Sequence, residues 1–188
     1  MRLTMFVLLL ATTGYAAPAP KNNPAVYFPT VMGDTRVYET QVDGKATNEF
    51  TDRVTKVEKK ERATLVTVER HHESSEPFVT TIAVREDGLF RVALGPETLA
   101  EPVLLLKLPA KAGVTWDVMS GNGKTSHTIV KEEEVTVPAG KFKTIRVEIG
   151  ADKDSLTTLW FAPTAGLVKM SSGNGTRVMV LKQFKAGN

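Results

Sequence analysis

The sequence predicts an all-β fold: a single antiparallel, strongly curved sheet or open barrel of about ten or eleven strands, with little helix. Three observations carry this. Runs rich in Val, Thr, Ile and aromatic residues recur along nearly the whole chain, a composition that suits a pleated, half-buried surface. Within these runs apolar and polar residues alternate from one position to the next instead of following a helical repeat, which marks antiparallel sheet with one wetter face. Short turn signals built on Gly, Asn, Asp and Pro separate the runs.

The chain opens MRLTMFVLLLATTGYAAPAP. Arg2 precedes an apolar run from Leu3 to Ala11, and Gly14 and Ala16 place small residues before a cut at Ala16/Ala17, so residues 1–16 read as a secretory signal peptide. The apolar run is well short of the roughly 20 residues that span a bilayer, and no other segment comes closer. The mature protein is therefore expected to be soluble, without a transmembrane segment, and exported to the periplasm or the extracellular space. Residues 17–26 are a Pro-rich flexible lead, and 27–188 a single β domain.

The strand candidates follow in order: TRVYETQV, FTDRVTKVEKK, RATLVTVERHH, PFVTTIAVRE, GLFRVAL, TWDVMS, KTSHTIVKEEEVTV, KFKTIRVEI, SLTTLWFA, GLVKMSS and RVMVLKQF. In PFVTTIAVRE, Phe78, Thr80, Ile82 and Val84 alternate with Val79, Thr81, Ala83 and Arg85. Asp87-Gly88, Asn122-Gly123 and Asn174-Gly175 predict three hairpins, the two Asn-Gly pairs supplying residues that accept positive φ. The repeated GNG is a turn signal and not a phosphate loop, because such loops precede a helix N-terminus and these precede strands. Residues 96–113, PETLAEPVLLLKLPAKAG, hold Pro102 and Pro109 and predict a loop with a short buried stretch at Leu104 to Leu108.

In VTVPAGKFKTIRVEIG, residues 135–150, Pro138-Ala139-Gly140 reads as a fixed corner between two strands, since Pro lacks the ladder donor and Gly permits the turn. Phe142 has the opposite parity to Ile145, Val147 and Ile149. If Phe142 shares their interior, a β-bulge between 142 and 145 is required.

Composition excludes several functions. With no cysteine there is no disulfide framework, no thiolate metal centre and no lipid-modified Cys anchor. Without Arg2 the chain has 23 Lys+Arg against 21 Asp+Glu, interspersed as in DRVTKVEKKER, and this lacks the concentrated basic face that nucleic acid or anionic membranes require. Neighbouring His71 and His72 face opposite sides of a strand and His127 is remote, so no metal site is expected. There is no G-x-S-x-G. Glu132-Glu133-Glu134 reads as a solvated strand start, and Asp152 and Asp154 as a turn, leaving no catalytic residue to name.

The aromatic residues are the remaining candidates. Trp116, Phe142, Trp160 and Phe161 lie in strand runs, and adjacent Trp160 and Phe161 point to opposite faces. Trp116, Phe142 and Trp160 serve either as core or as the lining of a concave surface for an apolar ligand.

Three phrases in this order, LLLKLPAKAGVTWDV at 104–118, VTVPAGKFKTIRVE at 135–148 and WFAPTAGLVKM at 160–170, follow the lead YFPTVMGDTRVYE at 27–39. Together they resemble the TapB-like family of exported bacterial β-rich proteins, a domain of unknown function. The resemblance implies an antiparallel β domain outside the cytoplasm and brings no catalytic residues or cofactor. Its matched positions are Pro109, Gly113, Trp116, Pro138, Gly140, Phe142, Trp160, Pro163, Gly166 and Leu167; Pro163-Thr164-Ala165-Gly166 departs from the family's GVG-like corner. The expected function is a non-enzymatic exported protein that binds a protein or apolar small-molecule partner or belongs to a cell-envelope assembly. The alternatives are a periplasmic carrier of an apolar ligand or lipid, as in the periplasmic lipoprotein carriers with a similar curved sheet, and a hydrolase with an unidentified carboxylate pair.

Overall fold

A computed structural model describes residues 25–73, 75–120, 123–150 and 156–187. The expected signal peptide at 1–16 and all of the lead but Ala25 and Val26 lie outside the described residues. The β-branched and aromatic runs fold into twelve strands: β1 (Thr35–Val42), β2 (Lys45–Lys60), β3 (Ala63–His72), β4 (Ser75–Arg85), β5 (Gly88–Leu94), β6 (Glu97–Lys107), β7 (Thr115–Ser120), β8 (Gly123–Val137), β9 (Gly140–Ile149), β10 (Thr157–Ala162), β11 (Gly166–Ser172) and β12 (Arg177–Lys185). Among the described residues the helical content is one 3₁₀ turn, Gly173–Gly175.

All pairings are antiparallel and the strand order is β6-β5-β4-β3-β2-β1-β12-β11-β10-β9-β8-β7. The chain is thus two six-stranded meanders joined where β1 pairs with β12. The ladder's two free ends, β6 and β7, are consecutive in the chain. They meet where the Trp116 indole N–H donates to the Leu104 carbonyl at 3.1 Å, so the sheet is a nearly closed barrel.

The strand beyond the eleven expected is β6, in the segment expected to be a loop. Pro102 does not break it, for two reasons. The strand ends the ladder, so its outer side needs no hydrogen-bonded neighbour. Its pairing with β5 also jumps from Arg91↔Val103 to Ala93↔Thr98, so Pro102 falls in an irregular stretch where its missing N–H breaks no ladder bond.

Turn chemistry explains the connections. Pairing of Arg85 with Gly88 leaves Glu86-Asp87 as the β4–β5 turn, and Ser120 pairs with Gly123 across residues 121 and 122, which lie outside the described residues. The Asn174-Gly175 signal lies in a four-residue connection instead of a two-residue one, with Gly173, Asn174 and Gly175 all at positive φ. A further Asp-Gly, Asp43-Gly44, makes the two-residue turn between β1 and β2 with φ of 49° and 74°.

Val137 pairs with Gly140, so Pro138-Ala139 is a two-residue hairpin turn, the corner expected from the sequence. The bulge expected between 142 and 145 is absent: Val135↔Phe142 runs in register to Lys131↔Arg146, and the shift falls instead at Ile129/Lys131 on β8. No bulge is needed because both faces of β9 are covered. Ile145 and Val147 join one buried cluster with Val54, Val66, Ile82, Leu89, Leu106, Trp116, Ile129 and Phe161. Phe142 packs against a second, formed by Tyr38, Phe50, Val137, Ala162, Val168 and Leu181.

The second cluster exists because β9 outruns its neighbour. β10 pairs only with Ile145 to Ile149, so the remaining half of β9 and the turn of the β8–β9 hairpin extend past the β10–β11 turn and reach β12, where the Ala139 N–H donates to the Leu181 carbonyl at 3.1 Å. Tyr38, 1% exposed, ties this region to β11 by donating its hydroxyl to the Leu167 carbonyl at 2.7 Å.

Candidate functional site

One end of the barrel is open. The β2–β3 turn at Glu61-Arg62, the β4–β5 turn at Glu86-Asp87 and the entering segment Ala25–Tyr27 border a hollow of about 1110 Å³ there. Its floor is apolar: Leu89, 1% exposed and part of the main cluster, with half-buried Val84 and Leu108. Its rim is charged with both signs, Lys60, Arg62 and Arg85 against Glu61, Glu86 and Asp87. The mixture has a local origin. The strands' inward residues are apolar, and the turns that end them carry the charged residues that exposed turns tolerate.

Tyr27 also borders a second hollow of about 480 Å³ beside Glu132, Glu133, Glu134 and Lys143. Burial, and secondarily the negative charge of Glu132, raises the Tyr27 phenol above its ordinary pKa of 10.0, so it stays a neutral donor. The three glutamates, expected at a strand start, lie within β8. Glu133 accepts hydrogen bonds from Lys131 at 2.8 Å and from the Trp160 indole at 2.7 Å, and these donors hold its carboxyl below the usual range.

The three aromatic candidates are not brought together. Trp116, 8% exposed, is part of the main cluster, pairs across the strands with His127 at 5.2 Å between ring centroids, and closes the β6–β7 seam. Phe142 and Trp160 border the second cluster, with Arg146 and Lys169 over the Trp160 ring at 5.9 and 5.0 Å. Phe161, beside Trp160, turns into the main cluster, as alternation requires.

Among the histidines, His71 is exposed beside Glu69 at 3.3 Å, and His72 lies by Phe50, 5.3 Å between centroids. Among the described residues no three His, Asp or Glu side chains are grouped as metal ligands would be. No helix among them is long and apolar enough to cross a membrane.

Sequence reasoning missed a row of charges inside the barrel. Arg36, Asp52 and Arg70 are cross-strand partners on β1, β2 and β3. Asp52 accepts from Arg70 Nε at 2.7 Å and Nη2 at 3.0 Å, and from Arg36 Nη2 at 3.4 Å. The signal was present as alternation, since Asp52 and Arg70 share parity with the buried valines 54, 66 and 68. Charged residues in that phase would have stood out only once the register was known.

No protein-family model and no curated protein sequence matches the chain. The TapB-like resemblance therefore rests on its three phrases alone. Two solved structures are similar. One is a Bacteroides fragilis protein named as exported with a YmcC-like fold, with a TM-score of 0.60 and 16% identity, covering 86% of this chain and 100% of that one. The other is a Parabacteroides distasonis protein named as a lipoprotein, with a TM-score of 0.59 and 15% identity, covering 87% of this chain and 100% of that one. At these identities the likeness is one of fold, and the chain's fold is that of a YmcC-like, nearly closed antiparallel barrel.

Proposed function

We propose that this is an exported protein that works by binding and not by catalysis, and that its binding surface is the open end of the barrel. The observation that carries this is the hollow of about 1110 Å³ with a floor of Val84, Leu89 and Leu108 under a rim of both charges. Such a lining suits an amphipathic partner, whose apolar part displaces water from the floor while its polar part meets the rim. Export is supported by the leader-like start of the sequence and by two neighbours of the same fold named as an exported protein and a lipoprotein. A non-enzymatic role is supported by the carboxyls: among the described residues those with displaced pKa values, Glu39, Glu58 and Glu133, are all lowered by donors beside them, whereas a poised general acid is raised.

Native mass spectrometry of the protein purified from its exported fraction tests this reading, with Thr64→Trp, on the inward parity of β3 and opposite Val84, as a variant that fills the hollow from its wall. A stoichiometric bound molecule in the wild type that is lost in Thr64→Trp is the expected result. A clean apo mass, together with unchanged capture of envelope components by the variant, would overturn the assignment of the hollow.

A further inference from the structure

Val84 and Leu89, on the floor of the open-end hollow, are a cross-strand pair of β4 and β5. The register between these strands runs without a break from Arg85↔Gly88 to Ile82↔Arg91, so the next pair on the same face is Ile82 and Arg91. Ile82 is a core residue, 4% exposed, and this fixes the side that its partner takes. Arg91 therefore enters the barrel directly beside the floor, about 7 Å along the strand from Leu89, at the ordinary rise of two residues.

Arg91 has no counter-charge in this position. Its partners on the two flanking strands, Ile82 on β4 and Val103 on β6, are apolar, and among the described residues it makes no hydrogen bond or ion pair. Its Nε is withdrawn from solvent with no acceptor among those residues. Burial is the chief cause that lowers its pKa, as for any cation taken out of water. Arg36, the other inward arginine near this end, is held by Asp52 at 3.4 Å. A guanidinium left without such a partner costs stability, and its unspent donors are what an oxyanion satisfies.

The rim sets no preference for charge, because Lys60, Arg62 and Arg85 are matched by Glu61, Glu86 and Asp87. The cation beside the floor does. In a site poor in water its field is weakly screened, and it favours an anion in the hollow over a neutral or cationic group. We propose that Arg91 makes the hollow a site for anionic amphiphiles, whose alkyl chain lies on Val84, Leu89 and Leu108 and whose carboxylate or phosphate head is drawn to the guanidinium. This rests on the reading of the open end as a binding surface and names the class of partner that it takes.

Isothermal titration with three probes that share one alkyl chain tests the proposal: decanoate, decyl maltoside and decyltrimethylammonium, each kept monomeric. Decanoate is expected to bind one-to-one and about tenfold tighter than decyl maltoside, the worth of one hydrogen bond to a charged group, with decyltrimethylammonium the weakest. Arg91→Met keeps an apolar stem and is expected to bring the affinity ratio of decanoate to decyl maltoside from about ten to about one without lowering Tm, since it removes a buried donor that has no acceptor. Arg91→Lys keeps the charge and is expected to retain part of the ratio, which makes the comparison informative even if the Met variant folds poorly. Arg62→Met, at an exposed rim cation, is expected to lower the ratio less than Arg91→Met does. Thr64→Trp is expected to abolish binding of all three probes. Equal affinities for the three in the wild type, with all of them lost in Thr64→Trp, would leave the hollow as the binding surface and overturn the role of Arg91. A ratio that survives Arg91→Met overturns it as well. Absence of binding by every probe overturns the reading of the hollow itself, and this proposal with it.

Discussion

The indole N–H of Trp116 donates to the backbone carbonyl of Leu104 at 3.1 Å, and this bond joins the two strands at which the ladder ends. β6 and β7 are neighbours through this side chain, and the barrel closes on a tryptophan at that point.

Trp116→Phe keeps most of the ring volume and removes the donor. It is expected to cost about 1 kcal/mol in urea unfolding, the usual net worth of such a bond. Amide exchange is expected to quicken in β6 and β7 and to stay unchanged in β2 and β3. Trp116→Ala, which also empties part of the main cluster, is expected to cost about 3–5 kcal/mol.

Asp52 is the carboxylate between Arg36 and Arg70, and its side chain and that of Arg36 are almost fully buried. Asp52→Asn leaves the buried Arg36 guanidinium without a counter-charge and is expected to destabilise by about 3–5 kcal/mol. The double variant Asp52→Asn with Arg36→Met removes the stranded charge and is expected to recover part of that loss, which a double-mutant cycle measures.

His127 sits against Trp116, 7% exposed, with its Nδ1 lacking a partner among the described residues. Burial lowers its pKa below 6.5, partly opposed by Asp117. The unfolded chain therefore takes up a proton more readily than the folded one, so this contribution to stability is full above about pH 6.5 and is lost as pH falls below it. Urea midpoints at successive pH values are expected to drop below that point in the wild type and to drop less in His127→Phe.

Gly88 opens β5 at φ 156°, and a Cβ there would lie 2.4 Å from the Leu106 carbonyl oxygen, a backbone atom with no freedom to retreat. Gly88→Ala is expected to destabilise by more than about 1 kcal/mol in thermal or urea unfolding. Gly175→Asn, at a turn with open space around the position, is expected to change stability by only about half that.

The all-β class, the antiparallel alternation and the Pro138-Ala139-Gly140 corner were legible in the sequence because each depends on neighbours a few residues apart: which side chains alternate, and where φ is free. The strand character of β6 was not, because Pro102 is tolerated there only by the strand's place at the end of the ladder. The bulge was misplaced for a related reason. Parity assigns Phe142 to a face, and only the hairpin folding over to β12 creates a second buried surface for that face.

Residue pattern alone thus determined what kind of sheet this chain makes and where it turns. The tertiary structure decided that β1 pairs with β12, Val42 meeting Arg177 from the far end of the chain, that Trp116 closes the seam, and that Trp116 is parted from Phe142 and Trp160. It also decided that Arg36, Asp52 and Arg70 stand in one row. Those outcomes rest on register between strands remote in sequence, and a shift of one residue would turn every one of these side chains to the opposite face.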